Sequence, residues 1–181
     1  MISSSSPTNP HFELMAQRLA EVAVELFAAY DLPIRQSLGA SVSNTWSEPS
    51  GVATIGYVGE KVRGVLVMVA ANTAVEDWMK AAGGGEGETD DALAEFSNML
   101  LGRLKGRLLT DGCQILLASP TTASGAGLRL SMPPGQSKWL VFDGPGWKVS
   151  VRLDASFESG FALREVSSEE MPAEAGDEFI F

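Results

Sequence analysis

The chain holds one histidine and one cysteine among 181 residues, and that scarcity removes whole reaction classes. His11 has no histidine partner and Cys113 no second thiol. Ser/His/Asp and Cys/His catalytic arrangements and histidine-based metal sites are therefore disfavoured. A lone cysteine cannot form an internal disulfide, which fits a reducing cytoplasm. Positive charge is also scarce: Lys and Arg number 13 against 23 Asp and Glu, a net charge of -10. Nucleic acid, whose phosphates call for Lys/Arg stripes, is a poor partner for such a chain. No apolar run approaches the about 18 residues that span a membrane. A phosphate-cradling Gly-x-x-x-x-Gly-Lys-Ser/Thr sequence is missing, and Gly83-Gly84-Gly85-Glu86-Gly87 follows no strand and reads as a linker. Chemistry here must run on carboxylates, amides and hydroxyls.

What is present suits one well-cored domain, with 45% hydrophobic residues and no room for a second. Residues 1–10 are rich in Ser, Pro and Asn, without basic residues or an apolar stretch, and read as a disordered leader. Residues 11–165 form the expected domain. Residues 166–181, with Glu169-Glu170 and Asp177-Glu178, read as a solvated acidic tail.

Phe12, Met15, Leu19, Val22 and Leu26 recur at helical spacing and predict a helix over 11–30, closed by Pro33. Strands are expected at 39–46, 52–58 and 62–70, the last two joined through Gly59-Glu60-Lys61. Val65 to Val69 is apolar at every position, as in a strand buried on both faces. Asn72 or Thr73 is the expected cap of a short helix reaching Ala82. A longer helix covers 91–109, ended by Asp111-Gly112. Short strands follow at 114–118, 128–132, 138–142, 147–153 and 157–163, and Ser119 to Gly127 reads as a turn. The four tryptophans read as core or interface anchors, and Cys113, without a basic neighbour, as inert packing. The fold class is α+β, an antiparallel β-sheet with a few helices.

On a wheel of 100° per residue, Leu93, Phe96, Ser97, Leu100, Leu104 and Leu108 share one side of the long helix. Asp91, Glu95, Asn98, Gly102 and Lys105 form a narrow stripe opposite. Glu95 and Asn98 are three apart and Asn98 and Gly102 four apart, so they are surface neighbours. A solvated polar face accounts for such a stripe in general. However, Asn is a mediocre helix former, and Gly within a helix costs about 1 kcal/mol relative to Ala. A glycine beside Glu and Asn lets another backbone approach closely.

Asp91-x-x-x-Glu95-x-x-Asn98 resembles the motif of the CheX and CheC chemotaxis phosphatases. Asn98-Met99-Leu100-Leu101-Gly102-Arg103-Leu104-Lys105 resembles the family's Asn-Met-x-x-Gly-x-x-Lys. Ser119-Pro120-Thr121 is similar to its later Pro-Thr, Gly125 to the glycine beyond, and Tyr57 to Gly64 to its hairpin. The similarity spans about 52–130. A single Glu-x-x-Asn helix favours CheX over CheC, where two are usual.

The resemblance implies a cytoplasmic protein phosphatase that hydrolyses the aspartyl phosphate of a CheY-type response regulator in chemotaxis or other two-component signalling. It implies Glu95 and Asn98 as catalytic residues, with Asp91, Gly102 and Lys105 touching the partner. Asn98 would hold a water in line with phosphorus and Glu95 would pair with the regulator's lysine. The chain needs no cofactor of its own, since Mg²⁺ is expected in the regulator. A homodimer is expected from the sheet pairing that the resemblance implies. The alternatives are a non-catalytic adaptor of the same fold, binding a response regulator or flagellar switch component, and a dimeric structural module with a merely solvated stripe.

Overall fold

Asn9 opens the first helix: its side-chain oxygen accepts a hydrogen bond from the His11 backbone N–H at 2.9 Å, and Pro10 takes the first helical position. That pairing of an Asn cap with proline is a favourable helix start. The structure, a computed structural model, describes residues 9–39, 42, 45–83, 88–131 and 136–163. The elements run α1 (Pro10–Ala28), β1 (Arg35–Gln36), β2 (Thr45–Trp46), β3 (Ser50–Gly59), β4 (Val62–Ala71), α2 (Asn72–Ala81) and α3 (Thr89–Thr110). They continue with β5 (Ile115–Leu117), β6 (Thr121–Gly125), β7 (Leu128–Arg129), β8 (Gln136–Asp143) and β9 (Lys148–Phe157). The chain is α+β, as its pattern of elements predicts. The helix thus begins inside the stretch read as leader; residues 1–8 and the acidic tail lie outside the described residues.

An antiparallel sheet in the order β1-β8-β9-β4-β3-β5, with β6 also on β3, carries the helices on one face. Ala53, Ile55, Leu66, Met68, Val151 and Leu153 point from the sheet into the core beneath Leu19, Phe27, Trp78, Phe96 and Leu100. A second, smaller cluster lies on the opposite face. There Val52, Val67 and Val69 are covered by Trp46 and Leu128 of the β2–β7 ribbon. This is why the β4 run is apolar at every position: both of its faces are buried over much of its length. Tyr57 lies across from Gly64 in the β3–β4 register and donates its hydroxyl hydrogen to the Asp154 carbonyl at 2.8 Å. A β-carbon at Gly64 would overlap both groups, so only glycine leaves room for the ring.

Several sequence expectations are corrected. The segment read as a turn at 119–127 contains β6, paired with β3 from Thr54↔Thr121 to Ser50↔Gly125. Together, β5 and β6 line one edge of β3, and Pro120, which has no N–H to give a ladder, marks the break between them. The strand expected at 147–153 runs on as β9 to Phe157, because β4 and β8 hold it from both sides through Ala155, and residues 158–163, expected in a further strand, form none. The strand expected at 39–46 is reduced to Thr45–Trp46, with residues 40, 41, 43 and 44 outside the described residues, and the short β1 was not anticipated. Neither Asn72 nor Thr73 caps α2. Ala71 occupies the cap without a side-chain bond, and Asn72 is the first helical residue.

Candidate functional site

The long helix α3 is oriented by its apolar residues. Leu93, Phe96, Leu100, Leu101, Leu104 and Leu108 are buried, and so is Ser97, whose hydroxyl donates to the Ala94 carbonyl at 2.8 Å. Phe96 is gripped by aromatic rings from two other helices and the loop after α1: Phe27 at 5.6 Å, Trp78 at 5.2 Å and Tyr30 at 5.3 Å between centroids. The ring packing fixes the rotation of the helix about its axis. Its N-terminal turn is tied to the sheet, where Ser124 on β6 donates to the Asp90 carboxylate at 3.1 Å. At the other end, Asp111 is buried and bonded to Arg18 of α1 at 3.2 Å. That bond raises the Arg18 guanidinium above its ordinary value.

Held in this way, α3 presents Asp91, Glu95, Asn98 and Gly102 to solvent, with Lys105 half-buried at the end of the stripe. Glu95 and Asn98 stand one helical turn apart. Among the described residues neither has a hydrogen-bond or ion-pair partner, although the residues between them, Phe96 and Ser97, are buried. A β-carbon at Gly102 would meet nothing within 4 Å, so no packing inside the chain calls for glycine there. The sequence reading missed Gly106, which is equally open, and its spacing of four from Gly102 was the available signal. It also missed Tyr30 and Ser124, which act on the helix from distant parts of the chain. The stripe is acidic at the helix N-terminus and basic toward Arg103, Lys105 and Arg107, matching the helix dipole.

Other groups singled out in the sequence are accounted for by packing. Trp78 and Trp147 join the aromatic core, while Trp46 and Trp139 pack on each other at 5.7 Å. Cys113 is buried, which pushes its thiol up and keeps it protonated, with the Asp111 charge adding to the effect. His11 sits in the first turn of α1, where Nδ1 accepts from the Leu163 backbone N–H at 3.3 Å. Among the described residues no three His, Cys, Asp or Glu side chains gather as metal ligands, and no helix is long and apolar enough to cross a membrane.

The sequence matches no protein-family model and no curated protein. Solved structures do match. A CheX from Desulfovibrio desulfuricans superposes with a TM-score of 0.68 at 17% identity, over 79% of this chain and 99% of its own. A CheC-like superfamily protein from Shewanella sp. PV-4 superposes with a TM-score of 0.69 at 19% identity, over 82% of this chain and 99% of its own. The chain has the CheC/CheX-like fold. A further structure with this CheX-like fold is the Borrelia burgdorferi CheX-CheY-BeF3-Mg²⁺ complex, with a TM-score of 0.58 at 16% identity, over 80% of this chain and 96% of that one.

Proposed function

We propose that this chain is a cytoplasmic phosphatase of CheY-type response regulators, docking through α3 and accelerating hydrolysis of the regulator's aspartyl phosphate. One observation carries the reading. Glu95 and Asn98 are exposed together on one turn, unpartnered among the described residues, beside an open Gly102 that leaves room for an outside backbone. The Borrelia CheX complexed with CheY adds support for a partner of this kind.

The reaction asks little of the chain. The water oxygen bonds to phosphorus as the bond to the aspartate carboxylate breaks. The carboxylate leaves with the electron pair, and the water's protons pass to phosphate and solvent. The regulator supplies the Mg²⁺ and a lysine. Asn98 offers both a carbonyl and an amide, so it can hold the water by accepting one hydrogen bond and donating another. Phosphoryl transfer through a loose transition state responds mainly to positioning, so no general base is required. An acceleration of about 100-fold corresponds to about 2.7 kcal/mol, within the reach of one positioned water. Glu95 supplies the charge that pairs with the regulator's lysine, while Asp91 and Lys105 flank the contact. A homodimer is part of the proposal.

The test is phosphate release from a phosphorylated CheY-type regulator with and without the protein. A concentration-dependent acceleration is expected. Tight binding of a BeF3-treated regulator without acceleration would make the chain an adaptor.

A further inference from the structure

Two helices begin over the same residue of the sheet. Gly51 on β3 pairs with Ala70 of β4 and with Ser124 of β6. A β-carbon at Gly51 would lie 2.8 Å from Leu93 Cδ2, 3.8 Å from Asn72 Oδ1 and 3.9 Å from Asp90 Oδ1. Asn72 is the first residue of α2 and Asp90 the second of α3. Neither helix receives a side-chain bond from its own cap, Ala71 or Glu88. The Asn72 backbone N–H donates to the Pro49 carbonyl at 3.1 Å, which ties the residue to the chain entering β3.

Asn72 Oδ1 and Asp90 Oδ1 are both buried, and among the described residues neither has a hydrogen-bond partner. The other Asp90 oxygen, Oδ2, accepts from the Ser124 hydroxyl at 3.1 Å. Both orphans are acceptors, so neither can satisfy the other. Leaving one buried oxygen unbonded is costly, and two at one place are rarely tolerated. The chain can supply the missing hydrogen itself. The two ends of an amide are nearly equal in size, and its partners decide which one faces inward. With the Asn72 amide turned half a revolution, Nδ2 takes the inward place beside the carboxylate and Oδ1 moves to the place Nδ2 leaves.

We propose that the Asn72 amide donates to Asp90 Oδ1 and thereby positions the first turn of α3. With Ser124 on Oδ2, one carboxylate then joins α2, α3 and β6 above Gly51. A hydrogen bond to a charged acceptor is stronger than one between neutral groups, and this one is shielded from water. Glycine at 51 leaves the room, since any β-carbon there would press on Leu93 and stand against both oxygens. Asp91, the next residue of α3, is exposed and opens the polar stripe, so what fixes Asp90 fixes where that stripe begins. The link does not depend on the phosphatase reading; only its bearing on regulator docking does.

Side-chain amide NMR of the full chain tests the bond directly, with the exposed Asn98 amide as internal standard and the Asn72 signals assigned by their loss in Asn72→Asp. Hydrogen exchange at the Asn72 amide should be about tenfold slower than at Asn98, and Asp90→Ala should bring it to the Asn98 rate. Exchange as fast as at Asn98 in the wild type overturns the proposal and gives the place to a water. Melting of a reciprocal swap is the second check. Asn72→Asp sets two carboxylates together and should lower the melting temperature by roughly 5 °C. Adding Asp90→Asn restores one donor and one acceptor with their roles exchanged, and should recover most of that loss, although Asp90→Asn alone brings no gain. A swap no more stable than Asn72→Asp overturns the proposal. So does a melting temperature that rises with millimolar Mg²⁺ or Ca²⁺ in the wild type but not in Asn72→Ala, which would put a cation between the oxygens.

Discussion

The Tyr30 hydroxyl donates a hydrogen bond to the Met99 sulfur at 3.2 Å, and the same ring packs on Phe96. Phe96 and Met99 are the immediate neighbours of Glu95 and Asn98, so one residue after α1 holds both sides of the exposed pair. The O–H to sulfur bond is weak, whereas the ring is a large packing group. Tyr30→Phe should therefore behave as the wild type, within about 1 kcal/mol of stability. Tyr30→Ala should lose about 3 kcal/mol and loosen the helix beneath the stripe. Denaturant unfolding and regulator-stimulated phosphate release read the two consequences, and equal behaviour of the two variants would remove Tyr30 from any positioning role.

Arg18 and Asp111 anchor the far end of α3. Asp111 is 3% exposed and bonded to Arg18 at 3.2 Å, with the half-buried Glu21 as the arginine's second partner. Removing one member of a buried pair strands the other charge. Arg18→Ala should cost about 3 kcal/mol, and Asp111→Ala added to it should recover part of that loss. Thermal unfolding of the two single variants and the double variant is the check. Strictly additive losses would contradict the coupling.

Burial pushes the Tyr57 phenol well above its usual range, and the Asp154 charge adds to the shift. The fold thus favours the protonated form, so this contribution is complete below the unfolded value of about 10 and is lost as pH rises past it. Stability should fall as pH increases above about 10, and Tyr57→Phe should flatten that fall while costing about 1 kcal/mol at neutral pH for the lost bond to the Asp154 carbonyl. Urea titrations between pH 8 and 11 decide it. An unchanged alkaline slope in the variant would assign the fall to other groups.

Glu95 and Asn98 should fail differently on substitution. Asn98→Ala removes the group proposed to hold the water but leaves the docking charge, so hydrolysis at saturating regulator should drop by about 100-fold while affinity persists. Glu95→Ala removes a charge-assisted contact that docking desolvates, so affinity for a BeF3-treated regulator should weaken by about 2 kcal/mol or more. Full activity of Asn98→Ala at saturation would end the catalytic reading and leave a binder.

The legibility of this fold in its sequence follows the reach of each signal. The α3 stripe was readable because helical period alone sorts Leu93, Phe96 and Leu100 from Glu95 and Asn98, and burial agrees residue by residue. The β3–β4 hairpin was readable for the same local reason. What failed was set by pairing between distant segments. Thr121-Thr122-Ala123-Ser124-Gly125 has turn composition, yet the free edge of β3 recruits it as a strand. Asp154 and Ser156 fall in the gap between two expected strands, yet they are the outward-facing residues of a ten-residue strand that β4 holds to Phe157 and β8 holds as far as Ala155. Asn72, a natural cap, is displaced from that role because β4 runs on to Ala71. The support given to the site by Tyr30 and Ser124 was hidden likewise, each being 69 and 34 residues from its partner.

Gly102 separates stability from function. A methyl group there meets no atom within 4 Å, and the same holds at Gly106. Helix propensity alone then governs the folded chain, and Gly102→Ala or Gly106→Ala should each stabilise it by up to about 1 kcal/mol. On the surface the two positions are not equivalent. Gly102 is the next turn after Asn98 on the same stripe, about 6 Å along the axis, whereas Gly106 is about 12 Å away. If a regulator's backbone settles beside Asn98, a methyl at Gly102 obstructs it and one at Gly106 does not. Gly102→Ala should therefore raise the melting temperature yet weaken binding of a BeF3-treated regulator about tenfold, with Gly106→Ala raising the melting temperature and leaving affinity unchanged. Calorimetric melting and titration of both variants against one regulator measure the two effects. A Gly102→Ala protein that is more stable and binds as well as the wild type would mean that no partner backbone comes close to this turn, and docking would have to be sought on another face.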